Sequence, residues 1–149
     1  MKRTAFTMVE LVFVIVILGI LAAVAIPKLS ATRDDAEIVS LANKVTGASF
    51  DIAAYATAKG VINDDMKIMS PTLEDLGRSN DAVLTDRKAV IKAGDVSNCI
   101  SIDVNASGGL ETLYITFGNH NNDKICEPLQ NKINIQEYPM KLKGNTVTY

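Results

Sequence analysis

The chain has little of what most enzymes and nucleic-acid-binding proteins rely on. Its single histidine, His120, cannot make a zinc site without partners from elsewhere, so a surface imidazole is its simplest reading. Positive charge is not in surplus: 15 Lys and Arg stand against 17 Asp and Glu, a formal net charge of -2. That balance supplies no electrostatic footprint for nucleic acid or for an anionic lipid surface. No nucleophile elbow, phosphate-binding glycine loop, metal-ligand pair or dinucleotide fingerprint occurs, so no residue has a claim to a catalytic role. The chain reads as a non-enzyme. Room is short as well, because 149 residues allow one small domain with a single core once any membrane segment is set aside.

What is present is unevenly spread. Apolar residues make up 48% of the chain, and the run from Phe6 to Ile26 has only Thr7 and Glu10 as polar members. A helix over this run, roughly 21 residues long, spans about 31 Å, close to the hydrocarbon thickness of a bilayer. It has no polar face, so the competing reading is a buried soluble helix, but a domain this small seldom encloses one of that length. Lys2 and Arg3 before the run favour a cytoplasmic N-terminus, with the residues beyond Pro27 carried across the membrane. Lys28 and Arg33 reduce that asymmetry, and Asp34, Asp35 and Glu37 follow them.

A plain anchor does not explain Glu10. An ionised carboxylate in hydrocarbon costs at least a few kcal/mol unless it is paired or protonated, so Glu10 calls for a partner. The simpler alternative is that it lies near the interface and reaches toward the headgroups.

These residues carry a resemblance. The string AFTMVELVFVIVILGILAAVAIPKLS, within residues 1–35, resembles the N-terminal signature of type IV pilins and of the pseudopilins of type II secretion. The resemblance implies a leader of residues 1–5, removed by a prepilin peptidase between Ala5 and Phe6, and methylation of the new amine on Phe6. The family usually has glycine before the cut; Ala5 replaces it with another small residue. It implies a transmembrane and polymerisation helix over 6–27, and an α+β domain over 28–149 that is periplasmic or extracellular. Glu10 falls at the family's assembly glutamate, which is thought to pair with the N-terminal amine of a neighbouring subunit; Gly19 and Pro27 also match positions that the family uses. Implied partners are further copies of the chain in a filament, the prepilin peptidase, an inner-membrane assembly platform and, before assembly, inner-membrane lipid. The implied location is a single-pass protein of the inner membrane, then a periplasmic or cell-surface filament.

Physics is consistent with that role for Glu10, since an ammonium and a carboxylate are each costly alone in lipid and attract strongly there. Gly19 and Pro27 both weaken a helix, so residues 19–27 are expected to bend or stretch; alternatively, glycine is simply common in membrane helices and Pro27 marks the membrane exit. A rival reading attaches to Ala23-Val24-Ala25, whose small-x-small form suits ordinary signal peptidase and would release a secreted protein starting at Ile26. Glu10, where secretory signals are usually apolar, counts against it.

Beyond Pro27, Ile38, Leu41, Val45, Ala48, Ile52 and Tyr55 recur at steps of three and four, predicting an amphipathic helix over 31–59 that is stopped by Gly60. Asp34, Asp35 and Glu37 near its start suit the macrodipole. Joined across Pro27, the two segments make one helix of about 53 residues. Residues 61–81 read as loop with a short helix opened by Ser70-Pro71, carrying Leu73 and Leu76 before Gly77. Strands are expected at 89–92, 100–104 and 112–117, with a turn at Ser107-Gly108-Gly109 and a further edge strand in the tail 138–149 that admits Pro139 only at its start. The fold class is α+β, a long helix on a small antiparallel sheet.

Cys99 and Cys126 bracket a predicted hairpin on the side expected to lie outside the cytoplasm, where thiols oxidise, and a disulfide is expected rather than two buried thiols. The loop Gly118–Lys124 is rich in oxygen donors, and Asn119, Asn121 and Asp123 are candidate calcium ligands, as in the major pseudopilins. One carboxylate without EF-hand spacing is a weak signal, a solvated turn explains the loop better, and no cofactor is expected. Pilus and secretion pseudopilus are not separated by these residues, and a monomeric anchored or secreted binding module is the alternative from another class.

Overall fold

The computed structural model describes residues 7–107 and 110–142. The chain divides into two compact units, Met1–Ala36 and Glu37–Tyr149.

Helix α1 runs without interruption from Met8 to Lys59, 52 residues, with Pro27 inside it. The segment around Gly19 and Pro27 is therefore helical throughout. Pro27 has no N–H to donate, so the Ala23 carbonyl loses its usual partner one turn on. The acidic triplet Asp34, Asp35 and Glu37 lies in mid-helix, so no helix start exists there for it to complement, and that part of the sequence reading is corrected. The stop falls where expected: Gly60 has φ of +71°, and its N–H donates to the Ala56 carbonyl at 2.9 Å.

In the first unit every described residue from 7 to 33 is exposed. The second unit has its own core. From α1 it takes Ile38, Leu41, Val45, Ala48, Ile52 and Ala56. The stripe is thus the expected one except at its end, where Ala56 is buried and Tyr55 only half-buried.

Two short helices follow, α2 (Met66–Met69) and α3 (Pro71–Arg78). Ser70 caps α3 by accepting the Leu73 N–H at 3.2 Å, and its hydroxyl donates at 2.8 Å to Asp51 Oδ2 on α1, a carboxylate that also accepts from Thr72 Oγ1. The helix does not stop before Gly77 but passes through it to Arg78; Leu73 and Leu76 are fully buried.

The sheet has five antiparallel strands in sequence order, β1 (Ala82–Thr85), β2 (Lys88–Ala93), β3 (Val96–Ser107), β4 (Leu110–Phe117) and β5 (Met140–Lys141). Ile100, Ile102 and Val104 alternate into the core as their spacing predicts. Register aligns Ala89 with Ile102 and Ile102 with Ile115, a buried row across three strands. On the outer face the Lys88 ammonium lies 3.1 Å from Asp103 across β2 and β3. The turn expected at Gly108 and Gly109 lies outside the described residues. The tail strand is present as β5, which begins directly after Pro139 and pairs with Thr112 and Leu113; residues 143–149 of that expectation lie outside the described residues.

Strand β1 and helices α2 and α4 (Cys126–Lys132) have no counterpart in the sequence reading. Ala82-Val83-Leu84-Thr85 is too short for either period to register, and α4 carries Pro128 in its first turn, which obscures a helical pattern.

Candidate functional site

The residues that matter most lie at the start of α1. Thr7 immediately precedes the helix. Its hydroxyl oxygen accepts the Glu10 N–H at 3.3 Å, while Glu10 Oε2 accepts the Thr7 N–H at 2.9 Å and the Thr7 hydroxyl at 2.8 Å. This is a capping box: each residue satisfies a backbone donor that the first helical turn leaves without a partner. The signal was present in the sequence as Thr-x-x-Glu before an apolar run, and the reading of Glu10 as an unpartnered charge missed it. Glu10 thus has an intrachain partner.

Around it the surface is apolar on all sides. Met8 is 82% exposed, Phe13 65% and Leu18 57%, and no Asp, Glu, Lys or Arg occurs between Glu10 and Lys28. A helix this long and apolar is able to cross a membrane. A Cβ at Gly19 would meet nothing within 4 Å among the described residues, so packing among them does not require glycine there. Ala5 and Phe6, where cleavage and methylation were placed, lie outside the described residues.

The second group of candidates is held together by covalent and hydrogen bonds. Cys99 on β3 and Cys126 at the start of α4 are joined, with S–S 2.02 Å and Cα–Cα 5.7 Å across a separation of 27 residues, as the sequence led one to expect. Gln130, one turn further along α4, is buried against the disulfide; its amide donates to the Cys99 carbonyl at 2.9 Å and to the Gly118 carbonyl at 3.0 Å. Helix α4 is therefore fastened to β3 and to the end of β4 by one side chain as well as by the sulfur bridge.

Asp123 has a task that its sequence neighbours did not reveal. Oδ1 accepts the N–H groups of Ile125 and Cys126, at 2.9 and 2.8 Å, and Oδ2 accepts that of Asp95 at 3.1 Å. It accepts the first N–H of α4 and ties that helix to the β2–β3 turn, where Gly94 has φ of +56° and a Cβ would collide with the Asp123 carboxylate. The Cys126 N–H, with help from those of Asp95 and Ile125, holds the Asp123 carboxyl below its ordinary value and outweighs the opposing effect of burial. These three donors account for the placement of the carboxylate. Asn119 Oδ1 accepts from the Asn121 N–H at 3.1 Å, and His120 Nδ1 from the Asn122 N–H at 3.2 Å, so these side chains shape the turn. Among the described residues no group of three or more His, Cys, Asp or Glu is placed to hold a metal ion.

Residues 1–26 match the model of the prokaryotic N-terminal methylation motif, the signature carried by type IV pilin and pseudopilin precursors. The match covers the apolar start of α1 and ends before the second unit. The motif is that of a pilin-type precursor and implies processing by a prepilin peptidase. No curated protein and no solved structure matches the chain. A pilin-type precursor signature, a long apolar N-terminal helix and an α+β domain closed by a disulfide occur together in one chain.

Proposed function

We propose that the chain is a structural subunit of a type IV pilus-like filament or of a type II secretion pseudopilus. In this reading it is cut between Ala5 and Phe6, methylated on Phe6, and polymerised through the helix of residues 6–27. Lys2 and Arg3 keep the N-terminus cytoplasmic, and the domain of residues 28–149 is carried outside, first as a single-pass protein of the inner membrane and then in the filament. Its partners are other copies of itself, the prepilin peptidase and the assembly platform. It carries out no catalysis.

The observation that carries the proposal is Glu10, the one ionisable residue in an apolar stretch that reaches to Lys28, set within the matched methylation motif. In lipid the carboxylate and the Phe6 amine of a neighbour are each costly, and their meeting relieves both. Aliphatic surface is nonspecific in register, so a single charge pair selects one axial stagger. Glu10→Gln keeps the shape and removes the charge. It is expected to insert into the membrane at the normal level and to abolish most filament recovery from sheared cells; a normal filament yield sinks the proposal.

A further inference from the structure

One carboxylate has two oxygens, and in this chain they are in different situations. Glu10 Oε2 is engaged twice by Thr7, through the backbone N–H and through the hydroxyl. Oε1 accepts no hydrogen bond among the described residues. We infer that Thr7 is a positioning residue for Glu10: it holds Oε2 against the chain's own first turn and leaves Oε1 free for the cation of an incoming subunit. The inference rests on the assembly role proposed for Glu10.

The chemistry follows from the donor set. A glutamate side chain on a bare helix surface samples several rotamers, and fixing it costs entropy at the moment of pairing. The capping box bears that cost within the protomer, so the charge is already in one place when a neighbour arrives. The hydroxyl is a donor as well as an acceptor, and only this combination accepts the Glu10 N–H while donating to its carboxylate. Capping and holding the carboxylate are therefore separable by substitution. Serine keeps both functions. Valine keeps the shape and loses both contributions of the hydroxyl, leaving the carboxylate only the backbone N–H of residue 7. Aspartate restores a cap, because its oxygen accepts the N–H of Glu10, but its side chain has no proton to offer the carboxylate and repels it.

The test measures filament yield per processed subunit in cells expressing Thr7→Ser, Thr7→Val, Thr7→Asp and Glu10→Gln. Subunits are counted in the membrane fraction by mass of the N-terminal peptide, so that defects in cleavage or insertion are divided out. Thr7→Ser is expected to assemble like the parent, and Thr7→Val and Thr7→Asp each to lose about tenfold or more, the scale of one hydrogen bond to a charged group. A normal yield from Thr7→Val overturns the inference, and so does a normal yield from Thr7→Asp, which would reduce Thr7 to a helix cap. If Glu10→Gln fails while Thr7→Val assembles normally, only the role of Thr7 falls. If Glu10→Gln assembles normally, the assembly reading falls with it.

Discussion

The two halves of α1 are built from similar residues and live in opposite surroundings. In the first, Ile17 is 41% exposed and Ile20 63%; in the second, Val45 and Ile52 are at 0%. The difference lies in what else the sequence supplies. Polar residues return from Lys28 onward, and from Ile38 onward the sheet, α2, α3 and α4 provide apolar side chains to meet the buried stripe, whose members recur at steps of three and four. Residues 7–33 are exposed. One half finds its apolar surroundings inside the molecule; in the function proposed above, the other finds them in lipid or in copies of itself.

Substitutions on either side probe this contrast, with unfolding of the second unit followed in the full-length chain in detergent. The largest effect is expected from Cys99→Ser with Cys126→Ser, which removes a cross-link spanning 27 residues and should lower the stability of the second unit by about 3–4 kcal/mol. Chemical denaturation with and without reductant measures it, and an unchanged midpoint would mean that the hydrogen bonds of Gln130 suffice. Next comes Ile52→Ala, a truncation at a fully buried site that should cost about 3 kcal/mol, compared with Ile20→Ala at a 63% exposed site, which should leave that transition where it is. Equal shifts would contradict the division of α1 into two environments. The smallest effect belongs to Asp123. Its carboxyl titrates below the ordinary value in the folded chain, so its contribution is complete above a pH of about 3.9 and is lost as the pH falls through the lower folded value. Asp123→Ala should cost about 1 kcal/mol at neutral pH through the lost acceptor for the Ile125 and Cys126 N–H groups, and should flatten the fall in stability on the acid side.

Legibility in the sequence followed the length and purity of each pattern. The α1 stripe, its stop at Gly60, the Ser70-Pro71 helix start, the Ile100–Val104 alternation and the disulfide partners were all readable, because each rests on a long period, a strongly biased residue type or a pair with no competing partner. Strand β1 was not, since four residues do not separate a period of two from chance. Asp123 was read as part of a polar loop because its three backbone donors come from Asp95, Ile125 and Cys126, and the first of these lies 28 positions away. At the candidate site the failure was of another kind. The Thr7-x-x-Glu10 spacing was visible, but the apolar run around it drew attention to the cost of the charge rather than to the partner three residues earlier.

The mature N-terminus tests the proposed processing of the first unit most directly. Mass spectrometry of the protein recovered from the cell surface or periplasm should find a chain beginning at Phe6 and carrying one methyl group on its amine. A chain beginning at Ile26, cut after Ala23-Val24-Ala25, would contradict the account, because the helix that holds Glu10 would then be absent from the finished protein.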